Sequence, residues 1–364
     1  MRQLRILFLT GALPPIVCGV GDYTSRLIDA IYRTGQATVG VATSIEGFSP
    51  NPIPGVQVLA LQGWKYRHLG RFARVLCSWR PHIVHMQFPT QGITGPLYWL
   101  AIIYASWVMR IRCVITLHET PQPSAVASVA LWAASEVIRV RSNLKLSYRP
   151  GSQKLLAHRS SVVIPIGSNI PKVTVSQERA DRVRNQLGVG QRRLLVSFGI
   201  LYPEHGFEEL LNIADPEKDF IVIAGGRCPS CPEYYDTIAL RLSDEAWLTR
   251  SAFLGHLPAQ DIAELLAVAD AVILPYLSGS HEGKGAILAA RMQGTFIITT
   301  HASLRGYIPD EHTYYTQAND TTGMKAALNS YSGIKAEAGA IHCPTWDSIA
   351  QSHLRLYRQW FPWA

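Results

Sequence analysis

Residues 278–294, SGSHEGKGAILAARMQG, place a carboxylate, an ammonium and two glycines immediately ahead of a helical pattern. The apolar run AVILPY at 271–276 precedes them and reads as a short buried strand, so the local order is strand, polar loop, helix. The first turn of a helix leaves backbone N–H groups unpaired and carries the positive end of the helix dipole, which together make an anion site. Gly283 and Gly285 let a phosphate approach the backbone, Ala286 opens the helix behind them, and Lys284 adds a mobile positive charge between the glycines. Glu282 is the only carboxylate of the loop, placed to accept hydrogen bonds from the hydroxyls of a bound polyol. A solvated Glu–Lys pair on an ordinary loop accounts for the same letters, and a Gly-x-Gly beside a helix does not separate the two readings.

Other loops carry similar chemistry. In LPPIVCGVGDY, residues 13–23, Gly19 and Gly21 permit close backbone approach to a phosphate or sugar; Asp22 stands where a helix should begin, with Tyr23 after it. An Asp there is also simply a good N-cap. The spacing is not a dinucleotide fingerprint, since no G-x-G-x-x-G is present. His118-Glu119 follows the strand pattern VITL at its carboxyl end, where an imidazole can bond a substrate hydroxyl or relay a proton. His85 and Gln87 end the preceding strand, and for each histidine the competing reading is a bonded core residue. His205, ahead of Gly206 and a helix, is a phosphate contact or a surface residue. Cys228-Pro-Ser-Cys231 is a single CxxC with no second Cys or His pair at zinc-finger spacing, so neither a metal nor a redox role is assigned to it.

These residues need a scaffold that aims loops at one another. The first half alternates apolar runs with helical patterns: strands at 5–10, 38–42, 56–61, 82–86, 113–117 and 137–140, helices at 22–32, 64–79, 96–109 and 124–134, and a last apolar run at 162–167. That is βαβ grammar, with parallel, doubly wound, covered strands. Residues 171–193 are polar and weakly periodic, and 173–193 is expected to link two domains, 1–172 and 194–344. The grammar restarts with strands at 194–198, 220–224, 252–255 and 271–276, and helices at 207–213, 232–242 and 262–268. A closing helix from 345, with Thr345 as N-cap and Asp347 in its first turn, is expected to return to the first domain. In open α/β sheets ligands lie beyond the carboxyl ends of the strands, so the loops 11–23, 87–92, 118–123, 199–206, 225–231 and 278–285 are expected to line a cleft between two Rossmann-like domains.

Composition agrees with a large globular α/β protein. The 364 residues are 48% hydrophobic and 16% charged. The net charge of +8 is uneven: residues 1–175 hold 18 Lys/Arg against 5 Asp/Glu, and the rest hold 16 against 21. A basic half beside the apolar run 97–109 suits an anionic membrane surface or a phosphate-bearing partner. No nucleic-acid-binding motif accompanies the basic residues. The apolar run is too short to span a bilayer, which needs about 20 residues. The opening residues read as a strand and not as a secretory leader, and the six cysteines as reduced thiols, so the expectation is a cytoplasmic protein with peripheral contact at the inner face of the membrane.

Taken together, LPPIVCGVGDYTSRL, HIVHMQFP, VITLHETP, SNLKL, VVIPIGSNIP, SFGILYPEHGFEELL, IVIAGG, FLGHLPAQDIAELLAVADAVILPY and HEGKGAILAARMQGTFIITT resemble the retaining nucleotide-sugar glycosyltransferases of family 4, which have the GT-B architecture. The resemblance runs essentially the full length. It implies transfer of a hexosyl or N-acetylhexosaminyl unit from a UDP- or GDP-sugar to an acceptor hydroxyl, with retention and with no bound metal or other cofactor, in polysaccharide or glycolipid synthesis. It places the donor diphosphate at Gly19, Gly21, Gly199, His205, Gly283, Lys284, Gly285 and Ala286, and the catalytic contacts at His118 and Glu282. The acceptor side falls to Asp22, Tyr23, His85, Gln87 and Glu119. Three positions depart from the family pattern. Ala290 stands where a second Glu grips the ribose, Ile200 where an Arg binds phosphate, and His205 where a Lys does. Those losses motivate a second reading, a GT-B partner subunit that binds without turnover; a GT-B phosphorylase or epimerase is a weaker third.

Overall fold

The computed structural model describes residues 3–16, 18–44, 53–90, 96–121, 124–146, 150–156, 159–228, 230–337 and 341–363. Of the loops expected to line a cleft, Val17 and positions 91–92, 122–123 and 229 lie outside the described residues. The chain divides into two compact units, Met1–Gly167 with Pro344–Ala364, and Ser168–Cys343.

In the first unit the strands β1 (Leu4–Leu9), β2 (Ala37–Ser44), β3 (Gln57–Leu61), β4 (Ile83–Phe88), β5 (Arg112–Leu117), β6 (Glu136–Arg139) and β7 (Val162–Val163) form a parallel sheet in the order β3-β2-β1-β4-β5-β6-β7. The helices α1 (Gly19–Arg33), α2 (Leu69–Trp79), α3 (Pro96–Val108), α4 (Ala125–Ala133) and α5 (Pro150–Leu156) connect them. Successive side chains of a strand point to opposite faces, so each apolar strand supplies two cores. From β1, Leu7 and Leu9 enter a core with Phe72, Tyr98 and Ile102, whereas Ile6 and Phe8 enter one with Leu27, Ile31 and Leu354. Leu354 belongs to the C-terminal helix, Trp346–Arg358, which packs on α1. Its buried residues Ile349, Ala350, His353, Leu354 and Tyr357 repeat at helical spacing and form one stripe, and the Thr345 hydroxyl caps it by accepting from the Ser348 N–H at 3.2 Å.

The second unit contains α6 (Gln177–Leu187), β8 (Arg193–Phe198), α7 (Phe207–Ile213), β9 (Asp219–Ala224), α8 (Pro232–Leu242), β10 (Ser251–Gly255), α9 (Ala259–Val268), β11 (Ala271–Leu274), α10 (Gly285–Met292), β12 (Ile297–Thr300), β13 (Gly306–Ile308), β14 (Thr313–Thr316) and α11 (Thr321–Tyr331). Its sheet order, β10-β9-β8-β11-β12-β14-β13, repeats that of the first unit over the first five strands; the last two are exchanged, with β13 at the edge and antiparallel to β14.

Two expectations are corrected. The 173–193 stretch, expected to be a linker, contains α6 and lies wholly within the second unit. The Ser176 hydroxyl caps that helix, Gly188 ends it in the left-handed region, and Arg184 pairs with Asp270 at 3.0 Å. Only Ala180, Val183 and Leu187 reach the core, a stripe too thin to show as periodicity among so many charges. The first helix starts at Gly19 and not at Asp22, so Asp22 lies in the first turn, where its charge complements the helix dipole, instead of capping.

The two glycines of that turn differ physically. A Cβ on Gly19 would meet nothing within 4 Å, whereas one on Gly21 would lie 2.8 Å from the Ala12 carbonyl oxygen. Gly21 therefore lets the first turn of α1 pack onto the loop after β1, independent of any ligand. Gly21→Ala is expected to destabilise the first unit by about 1–3 kcal/mol, and Gly19→Ala to leave it unchanged or up to about 1 kcal/mol more stable. Denaturant unfolding of the two variants checks this, and equal shifts would count against it.

Candidate functional site

At the carboxyl end of β11 in the second unit, two side chains meet against the ring of a third. Lys284 Nζ sits 4.3 Å from the centroid of the Tyr276 ring, and the His205 ring packs edge-on against the same tyrosine at 5.1 Å. The sequence motifs signalled Lys284 and His205 but not Tyr276, which follows the strand as an ordinary buried aromatic. An ammonium over an aromatic face gains about 0.5–2 kcal/mol, which offsets part of the cost of holding it half-buried. Backbone bonds brace the arrangement. The Leu277 N–H donates to the Glu204 carbonyl at 2.9 Å, and the turn carrying His205 is closed by His205 N–H on Tyr202 O at 2.9 Å.

The amides of the loop are not all available. Gly283 N–H donates to His281 Nδ1 at 3.1 Å and Lys284 N–H to His281 O at 3.0 Å. Of Gly283, Lys284, Gly285 and Ala286, which the sequence set against the anion, the first two have their amides occupied. The N–H groups of Gly285 and Ala286, in the first turn of α10, make no backbone bond outside the helix among the described residues, and a helix's first amides have none inside it. Glu282 is exposed beside them. Ala290 is fully buried in the core with Ile287 and Ala289, so the departure at this position leaves no open contact.

Behind this site, Gly199 and Ile200 continue β8. A Cβ on Gly225 would lie 1.8 Å from the Gly199 carbonyl oxygen, so only glycine lets the loops after β8 and β9 touch. His205 Nδ1 donates to the Ile200 carbonyl at 2.9 Å. Burial first, and the Lys284 charge second, hold the His205 ring down to about 4, well below the ordinary imidazole value. Cys228 and Cys231 lie on the neighbouring loop, with Cys228 Sγ 3.1 Å from Ser230 Oγ. Among the described residues no group of three or more His, Cys, Asp or Glu is placed to hold a metal ion.

In the first unit, His118 follows the last residue of β5 and its Nε2 bonds Gln87 Oε1 at 2.9 Å. With the amide in this orientation the oxygen only accepts, so Nε2 carries the proton and Nδ1 keeps a lone pair. Burial, with the nearby His353 as a smaller cause, lowers His118 to about 3. The neutral ring therefore offers Nδ1 as an acceptor for a hydroxyl. Tyr23 packs edge-on against His118 at 4.6 Å and against Trp346 at 5.3 Å, and is itself buried. Glu119 is exposed.

His85, which sequence put on the acceptor side, is a core residue instead. It is fully buried, with Nε2 2.7 Å from Thr116 Oγ1 and Nδ1 bonded to the Tyr357 hydroxyl. His353, fully buried beside it at 5.6 Å between ring centroids, donates Nδ1–H to the Ile349 carbonyl. Sequence reading missed His353 and Tyr357. Their signal is a pair of polar residues four apart within the apolar stripe of the C-terminal helix. Among the described residues Tyr23 Oη, Gln87 Nε2 and His353 Nε2 have no hydrogen-bond partner, so the buried polar cluster around His118 keeps unfilled bonding capacity.

No protein-family model matches the chain, and no curated protein matches it in sequence. Its structure is similar to that of Anabaena Alr3699/HepE in complex with UDP and glucose, at TM-score 0.71 and 16% identity over 98% of this chain and 100% of the other. It is similar to sucrose-phosphate synthase from Thermosynechococcus elongatus, at TM-score 0.73 and 18% identity over the whole of both chains. The catalytic domain of starch synthase IV from Arabidopsis thaliana, bound to ADP and acarbose, gives TM-score 0.67 and 14% identity over 98% of this chain and 99% of that one. At these identities the likeness establishes the fold, which is GT-B.

If Lys284 helps hold an anion over the first turn of α10, Lys284→Ala should weaken both donor binding and turnover. Loss of one donor to a developing oxyanion costs about 100- to 1,000-fold in rate. Steady-state kinetics with a nucleotide-sugar donor measures it, and an unaltered affinity and turnover would remove Lys284 from the site.

Proposed function

We propose that the protein is a retaining glycosyltransferase of the family 4 kind, moving a hexosyl or N-acetylhexosaminyl unit from a UDP- or GDP-sugar to an acceptor hydroxyl in polysaccharide or glycolipid synthesis. The observation that carries this reading is the convergence of Lys284, His205 and Tyr276 beside the open first-turn amides of α10, in a chain of GT-B fold. In HepE, to which the chain is similar, the same fold has been seen with UDP-glucose. On this reading the Gly285 and Ala286 amides and Lys284 bind the departing diphosphate, and Glu282 accepts hydroxyls of the donor sugar. His118 receives a hydroxyl proton at Nδ1 as a hydrogen bond. The departing phosphate serves as base for attack on the same face, so the protein's contribution is positioning and stabilisation of negative charge. Those groups offset the charge without a metal cofactor.

The second reading, a partner subunit that binds without turnover, rests on the Ile200, His205 and Ala290 departures. Incubating the protein with a panel of UDP- and GDP-sugars and following nucleotide release separates the two. The enzyme reading expects slow hydrolysis with one donor, unchanged by a metal chelator; tight binding without release would favour the partner subunit.

The acceptor side carries a further feature. Helix α3 is apolar on every face, and it exposes Leu97, Tyr104, Trp107 and Val108 along one side, with Trp107 74% exposed. The packed neighbour α4 exposes Val129 and Trp132. Among the described residues no helix is long and apolar enough to cross a membrane. We assign this aromatic surface, in a half carrying 18 Lys/Arg against 5 Asp/Glu, to peripheral contact with the anionic inner face of a membrane, where a lipid-linked acceptor would be met. Vesicles rich in phosphatidylglycerol should sediment the protein, and the double variant Trp107→Ser, Trp132→Ser should lose most of that binding. Equal sedimentation of variant and parent would sink the assignment.

A further inference from the structure

His205 stands where the family pattern has a lysine, and its surroundings give that exchange a consequence. The Ile200 carbonyl can only accept, so the 2.9 Å contact fixes the proton of the neutral ring on Nδ1. The ring is wedged edge-on between Tyr202 at 5.4 Å and Tyr276 at 5.1 Å, with Phe207 at 6.3 Å, so it has little freedom to turn over. Nε2 then carries only a lone pair. It has no hydrogen-bond partner among the described residues, in a ring that is only partly buried. A phosphate oxygen is likewise an acceptor, and two lone pairs repel. An anion can be met at Nε2 only by a ring that has gained a second proton.

The groups facing His205 set when that happens. Lys284, from the loop before α10, and burial under Tyr276 and Tyr202 oppose protonation. Glu204, on the same turn, and the Ile200 carbonyl favour it more weakly. A diphosphate beside Lys284 reverses the larger electrostatic contribution and gives Nε2–H an acceptor.

We propose that binding of a nucleoside-diphosphate sugar in the second unit is coupled to uptake of one proton by His205. The proposal rests on the donor-site reading above. A lysine would carry its charge at all times; the histidine carries one only while the ligand is present. The direction follows from linkage. The bound state holds the extra proton, so affinity is complete below the free-state value of about 4. Above it, affinity falls by up to about tenfold per pH unit until the pH passes the value His205 has in the complex.

Calorimetric titration of the full chain with UDP-glucose and with GDP-mannose, without acceptor, in two buffers of different ionisation enthalpy at about pH 6.5 reads the proton directly. The diphosphate of these diesters does not titrate near that pH, so exchanged protons come from the protein. The parent should take up between about half and one proton per ligand. His205→Lys should bind with no uptake and with affinity flat in pH, and His205→Gln should bind more weakly, also without uptake. Binding by the parent with no uptake overturns the proposal and leaves the donor-site reading standing. Uptake that persists in His205→Gln assigns the proton to another group and overturns it too. Failure of the parent to bind either ligand at any pH overturns both.

Discussion

Strands covered on both faces leave polar chemistry only one place to sit. In each unit the central strands are buried almost completely, as at Ile83–Phe88 in the first, and at Asp219–Ala224 and Ala271–Leu274 in the second, where every residue is buried. Parallel connections bring each strand's carboxyl end to a loop that feeds a helix, so open amides and polar side chains gather along that edge. His118, Gly199, the turn of His205 and the loop of Glu282 and Lys284 all follow carboxyl ends of strands, after β5, β8 and β11. The rest of the architecture serves to hold that edge still.

Holding it still takes backbone contacts more than side-chain bonds. The Gly199–Gly225 approach admits no Cβ, and a bridge pairs Leu201 with Arg227. The turn of His205 is tied to the end of β11 through Leu277 and Glu204. On the proposed reading this rigidity matters because the site has fewer fixed charges than the family pattern, one lysine and a neutral histidine where an arginine and a lysine are usual. Preorganised amides then carry more of the work, and they stabilise charge only if they need not move to do so.

The first unit handles its imidazole differently. His118 is kept neutral by burial and oriented by Gln87, while His85, His353 and Tyr357 form a buried polar layer behind it. That layer is closed by the C-terminal helix, which brings His353 and Tyr357 from the far end of the chain. Three polar atoms there lack partners among the described residues, an arrangement that costs stability unless something polar fills it.

The sequence by itself determined two α/β units with parallel strands, the positions of those strands along the chain as far as β11, and the loops that carry Gly19, His118, His205, Glu282 and Lys284. Continuous apolar runs and Gly-rich strand ends are local signals, and they survive without knowledge of distant residues. Helices α5, α6 and α11 and strands β12 to β14 were not read: the apolar stripe of α6 is thin, and residues 141–161 and 295–344 were left unassigned. Only the tertiary structure decided which glycine is required for packing, which amides are already taken by His281, and that His85 is core. It alone decided that Tyr276 supports both Lys284 and His205 and that Tyr357 reaches His85 across 272 positions of chain. Those facts depend on contacts between residues far apart in sequence, and no local pattern records which donor has already found its acceptor.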